Sequence, residues 1–187
     1  MHNVTLVVGG GRSGKSTFAE ELAKKASSDE KSRYYIATAE AFDGEMKSRI
    51  KKHQQRRGNS FVTIEENIHL SKAIENIENN ASCILIECLS VWLGNILYYH
   101  FKINESESDK KERELFMDNE IESLLRVLKK VRCPVVIVSN ETNLEIFPKD
   151  DEESLIFIKR SEELNKSIAQ LSDSMYFCVT GIPLKLK

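Results

Sequence analysis

No stretch of this chain is apolar for long enough to span a membrane, and no signal-like preamble precedes its first apolar run. Those two absences point to a soluble, cytoplasmic protein. Cysteine is scarce. Cys83, Cys88, Cys133 and Cys178 form no C-x-x-C pair and no spacing typical of zinc sites, which argues for reduced thiols packed as small hydrophobes. Neither sign of charge is in excess. With 27 basic and 29 acidic residues the formal charge is -2, so nothing global draws the chain to nucleic acid or anionic lipid. Any affinity for phosphate must then be local. Internal repeats are absent, and the polar stretch from Asn104 to Lys111 reads as a solvated excursion between helices. What remains, 187 residues of which 41% are hydrophobic, suits one compact domain over 1–187 with a sizeable core.

Short β-branched runs alternate with longer amphipathic segments, the pattern of an α/β protein whose parallel strands are joined by crossover helices. Strands are predicted at 3–8, 33–38, 82–87, 134–139 and 175–180. Gly181-Ile182-Pro183 and the alternating tail Leu184-Lys185-Leu186-Lys187 then predict a hairpin onto an edge strand. Helices are predicted at 15–27, 43–57, 67–79, 89–102, 111–131 and 152–171. In open α/β sheets ligands gather beyond the carboxyl ends of the strands, so the residues just after each strand are the ones to search for chemistry.

After the first strand comes Gly9-Gly10-Gly11-Arg12-Ser13-Gly14-Lys15-Ser16, a complete G-x-x-x-x-G-K-[ST] phosphate loop. A buried strand that ends in a glycine-rich turn and opens a helix lets successive backbone N–H groups and the helix N-terminus converge on one anion. Both flanks are present. Lys15 brings a mobile charge to the β- and γ-phosphates, and the Ser16 hydroxyl is a hard oxygen ligand suited to Mg²⁺. Arg12 suits either of two roles, bracing a phosphate or pairing with an acid.

The third predicted strand closes on Glu87, a carboxylate placed to hold Mg²⁺ together with Ser16 or to take a proton from an attacking hydroxyl. A first-turn glutamate favoured by the helix dipole is the alternative. The predicted helix 43–57 carries Met46, Ile50, His53 and Arg57 on one face, with Lys51, Lys52 and Arg56 beside them. A histidine in that basic setting resists protonation, and neutral imidazole is a nucleophile toward phosphorus; an ordinary surface histidine fits the same pattern. Asn140 and Glu141 follow the fourth predicted strand, where they suit contact with a nucleotide or substrate or the capping of a turn. His2, His69 and His100 have no comparable surroundings.

Together these elements resemble the bifunctional adenosylcobinamide kinase/adenosylcobinamide-phosphate guanylyltransferase family. The similarity runs nearly end to end: the phosphate loop, Tyr35-Ile36-Ala37-Thr38-Ala39, Glu45-Met46, Arg49-Ile50, His53-x-x-x-Arg57, Phe61-x-Thr63-x-Glu65, and Leu85-Ile86-Glu87-Cys88-Leu89 with Trp92-Leu93 and Asn95. It continues through Val138-Ser139-Asn140-Glu141, Ile146-Phe147-Pro148, Leu164-Asn165, Asp173 and Gly181-Ile182-Pro183-Leu184. The resemblance implies a P-loop NTPase fold with a mostly parallel RecA-like sheet, flanking helices and an antiparallel edge strand, assembled as a homotrimer. It implies a corrinoid substrate, GTP and ATP as nucleotide substrates, and a guanylyl intermediate carried covalently on His53. It further implies nucleotide contacts from Ala37, Thr38, Ala39, Gln54, Gln55, Arg56, Arg57, Glu65 and Glu87, in addition to the phosphate loop. A carboxylate such as Glu65 suits guanine because it accepts from N1–H and the exocyclic amine.

Some residues depart from the family pattern. After Asn140-Glu141 this chain has Thr142-Asn143-Leu144-Glu145, without the two glycines usual there, and Lys149 to Ser154 lacks the expected arginine. Phe61 stands where tryptophan is usual. The guanylylation elements are intact, so the departures bear on the corrinoid, the subunit contact or kinase geometry. Two rival readings of the residues are a monofunctional small-molecule P-loop kinase and a nucleotide-binding switch or assembly protein.

Overall fold

The computed structural model describes residues 3–28, 31–39, 58–99, 106–142 and 152–187. Seven strands form one sheet: β1 (Val4–Gly9), β2 (Ser32–Ala37), β3 (Val62–Glu65), β4 (Ala81–Glu87), β5 (Val135–Asn140), β6 (Ser174–Val179) and β7 (Ile182–Lys185). Their order across the sheet is β3-β2-β4-β5-β1-β6-β7. All neighbouring pairs are parallel except β6 and β7, which form the hairpin that the tail predicts. Five α-helices are described, α1 (Lys15–Ala26), α2 (Leu70–Ile77), α3 (Leu89–Tyr98), α4 (Glu107–Leu128) and α5 (Glu152–Leu171).

Both faces of the central strands are covered, which is why β1, β4 and β5 read as continuous apolar runs rather than alternating ones. Val4, Leu6, Val8, Ile84, Ile86, Val135 and Ile137 pack on one face with buried residues of α2, α3, α4 and α5, among them Ile74, Trp92, Leu124 and Ile168. Val7, Leu85, Val136 and Val138 face the other way, against Ala19 and Ala23 of α1. The interior strand β1 therefore sits between β5 and β6 with apolar layers above and below, and its carboxyl end delivers the phosphate loop from a rigid base.

Three elements differ from the sequence reading, two of them for an evident physical reason. Strand β3 was not expected: its four residues alternate apolar and polar but are too few to stand out and are mostly exposed, yet Tyr34 to Ala37 of β2 pair with Val62 to Glu65 in register. Helix α4 starts at Glu107, inside the stretch expected to be an excursion, because Ser106 caps it. The Ser106 Oγ accepts the Asp109 backbone N–H at 3.2 Å while the Asp109 carboxylate accepts the Ser106 N–H at 3.0 Å, a reciprocal capping box. Helix α2 is shorter than expected at both ends. The predicted helix 43–57 lies outside the described residues.

Candidate functional site

The carboxyl ends of β1, β2, β3 and β4 gather most of the residues singled out in the sequence. Gly9 closes β1, and the loop from Gly10 to Gly14 leads into α1 at Lys15. A Cβ on Gly9 would sit 2.6 Å from both the Cys178 carbonyl and the Ser13 Oγ, so only glycine fits there. Gly14 has φ 89°, and a Cβ on it would lie 2.9 Å from the Gly181 Cα. Arg12, exposed at the tip, also adopts a positive φ of 58°. The loop is tied to itself and to the hairpin turn: Ser13 N–H donates to the Gly10 carbonyl at 3.3 Å, and Gly181 N–H donates to the Ser13 carbonyl at 2.9 Å.

Three features of this loop suit an anion. Helix α1 opens without a side-chain cap, which leaves its first N–H groups to an outside acceptor. The Ser13 hydroxyl is buried without a hydrogen-bond partner among the described residues. Lys15, nearly buried, folds back so that its Nζ donates to the Gly10 carbonyl at 2.9 Å. The ammonium is thereby held over the loop.

Ser16, on the first turn of α1, donates from its Oγ to Oε1 of Glu87 at the end of β4. The other carboxylate oxygen, Oε2, accepts the Tyr35 hydroxyl at 3.0 Å. A hydroxyl and a carboxylate thus meet at one point beside the phosphate loop, a pair of hard oxygen donors of the kind that holds Mg²⁺ alongside nucleotide phosphates. Tyr35 carried no role in the sequence reading beyond its place in the family pattern. Its signal is topological: β2 pairs with β4, with Ala37 opposite Glu87, so a tyrosine two residues back reaches the carboxylate.

Thr38, fully buried, follows β2 and is tied to the β4–α3 junction through every polar group. Its N–H donates to the Glu87 carbonyl at 3.1 Å. Its Oγ1 accepts the Cys88 N–H at 2.7 Å and donates to the Cys88 carbonyl at 2.9 Å. Its own carbonyl accepts from Asn95 at 2.8 Å. Ala37 and Ala39 flank it, half-buried, and Glu65 ends β3 exposed and opposite Ala37 in register. Burial raises the Cys88 thiol above its ordinary range, and the neighbouring Glu87 adds to the shift. At the end of β5 the backbone of Asn140 is held on both sides, its N–H by Ser90 Oγ at 2.8 Å and its carbonyl by Asn165 at 2.9 Å. His53, Gln54, Gln55, Arg56 and Arg57 lie outside the described residues, as do 143–150 of the altered loop.

A phosphate loop on an interior strand, facing a strand-terminal glutamate two strands away, defines an α/β protein of the P-loop NTPase class with a RecA-like sheet. The same arrangement is similar in fold to a KaiC-like protein of Pyrococcus horikoshii OT3, with a TM-score of 0.51 at 12% identity over 94% of this chain and 70% of that one. Within that class the chain belongs to the cobinamide kinase / cobinamide phosphate guanyltransferase family, whose pattern matches residues 5–186. It is 36% identical to the bifunctional adenosylcobalamin biosynthesis protein CobP of Pseudomonas aeruginosa, over 97% of this chain and 96% of the relative. Identity to the bifunctional adenosylcobalamin biosynthesis protein CobU of Escherichia coli is 32%, covering 97% and 98% of the two chains. This membership favours the two-activity reading over the one-activity kinase and the switch. Among the described residues no helix is long and apolar enough to cross a membrane.

Proposed function

We propose that this chain phosphorylates the aminopropanol hydroxyl of adenosylcobinamide and then transfers GMP from GTP to the resulting phosphate. In the first reaction the loop amides from Gly9 to Gly14 and the Lys15 ammonium orient a nucleoside triphosphate. The substrate hydroxyl oxygen bonds to the γ-phosphorus, the bridge to the β-phosphate breaks, and Glu87 is placed to accept the released proton. Mg²⁺, when bound, would neutralise charge on the phosphates; Ser16 and Glu87 are the residues to hold it. In the second reaction the His53 imidazole bonds to the α-phosphorus of GTP and pyrophosphate leaves. An oxygen of adenosylcobinamide phosphate then bonds to that phosphorus and the P–N bond breaks, giving adenosylcobinamide-GDP and free His53.

The observation that carries the reading is the meeting of Ser16 and Glu87 beside an uncapped α1 in a chain of this family. Guanine contacts fall to Ala37, Thr38, Ala39, Gln54 to Arg57 and Glu65 on this reading. A homo-oligomer in the cytoplasm completes it; the exposed apolar positions Val179, Ile182 and Leu184 of the β6–β7 hairpin offer a surface for such an assembly to cover, and light scattering reads the oligomeric state.

The test is incubation with Mg²⁺ and α-labelled GTP, followed by denaturation. The expected result is a retained label, labile to acid and stable to base, that is lost in His53→Asn. Absence of label, or equal labelling of His53→Asn, rejects the covalent step.

A further inference from the structure

Helix α3 begins directly after Glu87-Cys88, and two of its side chains reach back to loops that follow other strands. Asn95 donates both amide hydrogen bonds from one nitrogen, to the Thr38 carbonyl at 2.8 Å and to the Asn67 carbonyl at 3.1 Å. Trp92, one turn earlier and fully buried, donates its indole N–H to the Ile68 carbonyl at 2.7 Å. The loops joined in this way come after β2 and after β3, two strands held to each other at this edge by the pairing of Ala37 with Glu65 and the Glu66 N–H to Ala37 carbonyl bond of 3.0 Å. Asn95 thus spans the last bond between neighbouring strand ends and continues it into the loops.

We infer that Asn95 is a positioning residue for nucleobase selectivity: it fixes the spacing between the Thr38 loop and the Glu65–Asn67 segment, and so the gap into which a guanine edge must fit. The inference rests on the reading above, which puts guanine against Ala37 to Ala39 and Glu65. The phosphate loop needs no such support, because its own backbone and the Gly181 turn hold it. Removing the two donors leaves the Thr38 and Asn67 carbonyls without those partners and loosens their mutual spacing, although the other Thr38 bonds and the Trp92 bond to Ile68 remain, while the loop that grips phosphate keeps every bond it has. A change at Asn95 should therefore be felt by the base and ignored by the phosphates.

The experiment compares GTP, ATP and inorganic tripolyphosphate binding to the full chain by calorimetry with Mg²⁺, in the wild type, Asn95→Leu and Asn95→Gln. Asn95→Leu should weaken GTP roughly tenfold and leave ATP and tripolyphosphate within about twofold, on the scale expected for lost buried hydrogen bonds. Asn95→Gln, which keeps the amide, should recover part of the GTP preference. If Asn95→Leu fails to fold, Asn95→Ser gives the same comparison. Equal losses for GTP and tripolyphosphate, or an unchanged GTP-to-ATP ratio, overturn the inference and leave the function standing. A wild type without preference for GTP overturns the guanine assignment and this inference together, whereas loss of the His53 label alone touches only the covalent step.

Discussion

Two parts of the same sheet edge are held in opposite ways. The phosphate loop after β1 is built from contiguous residues whose glycines allow its turn, whose first helix takes no side-chain cap, and whose lysine folds over its own carbonyl. Beyond β2 and β3, by contrast, Thr38, Asn67 and Ile68 are pinned by residues distant in sequence, Glu87, Cys88, Trp92 and Asn95. A loop shaped by its own glycines and the Gly181 turn can serve any nucleoside triphosphate. Loops hung on a neighbouring helix can be tuned without disturbing it. On the proposed reading, chemistry common to both reactions falls to the first region and discrimination to the second.

The strongest blow to that division is Lys15→Ala. Both activities should fall by about 10² to 10³-fold, the usual cost of one lost donor to a developing phosphoryl charge. Initial rates with ATP and with GTP measure this, and a loss confined to one reaction would break the claim that a single loop serves both. Next comes Gly14→Val. A side chain at φ 89° and 2.9 Å from the Gly181 Cα forces the loop off the hairpin turn. Urea unfolding should show a loss of about 1–3 kcal/mol, with tripolyphosphate binding weakened in parallel. Trp92→Phe probes the other region. It leaves the Ile68 carbonyl without its donor and should cost about 1–3 kcal/mol, while tripolyphosphate binding stays within about twofold of wild type. Weakened tripolyphosphate binding in Trp92→Phe would merge the two regions into one.

The effect furthest from the site is a pH dependence, confined to alkaline solution, that lies beneath both regions. Burial pushes the Cys83 thiol from 9.0 up to about 12 and the Cys133 thiol up to about 11. A raised folded value means that the unfolded chain releases these protons first, so the contribution to stability is complete below pH 9 and is lost as pH rises toward 11 and 12. The thermal midpoint should decline above pH 9, and Cys83→Ala should decline less steeply.

The same contrast decides what could be read before the structure. The phosphate loop is legible because strand, turn and helix follow one another within sixteen residues, each with its own residue chemistry. Glu87 is legible because a carboxylate closing an apolar run is conspicuous. The network around Thr38 is not, since its partners come from positions near 38, 67, 88 and 95, and nothing local in the sequence couples an asparagine on a helix to a carbonyl 57 residues earlier. Strand β3 escaped for a related reason: Val62 to Glu65 is an edge strand with three exposed residues, and what makes it a strand is the presence of β2. The start of α4 did carry a local signal. Ser106 and Asp109 have capping-box spacing, outweighed in the sequence reading by the polarity of their surroundings.

The position of β1 in the sheet also has a consequence for how the protein is made. Synthesis delivers β1 and its phosphate loop well before their partners: the strands on either side of β1 begin at Val135 and Ser174, and the bond that steadies Ser13 comes from Gly181. The nascent chain therefore carries an apolar strand with neither neighbour for most of its growth, and its first-made functional element is among the last to assume its shape. Folding has to wait for these long-range pairings, so the ribosome-bound intermediate is where this chain most needs shielding from aggregation.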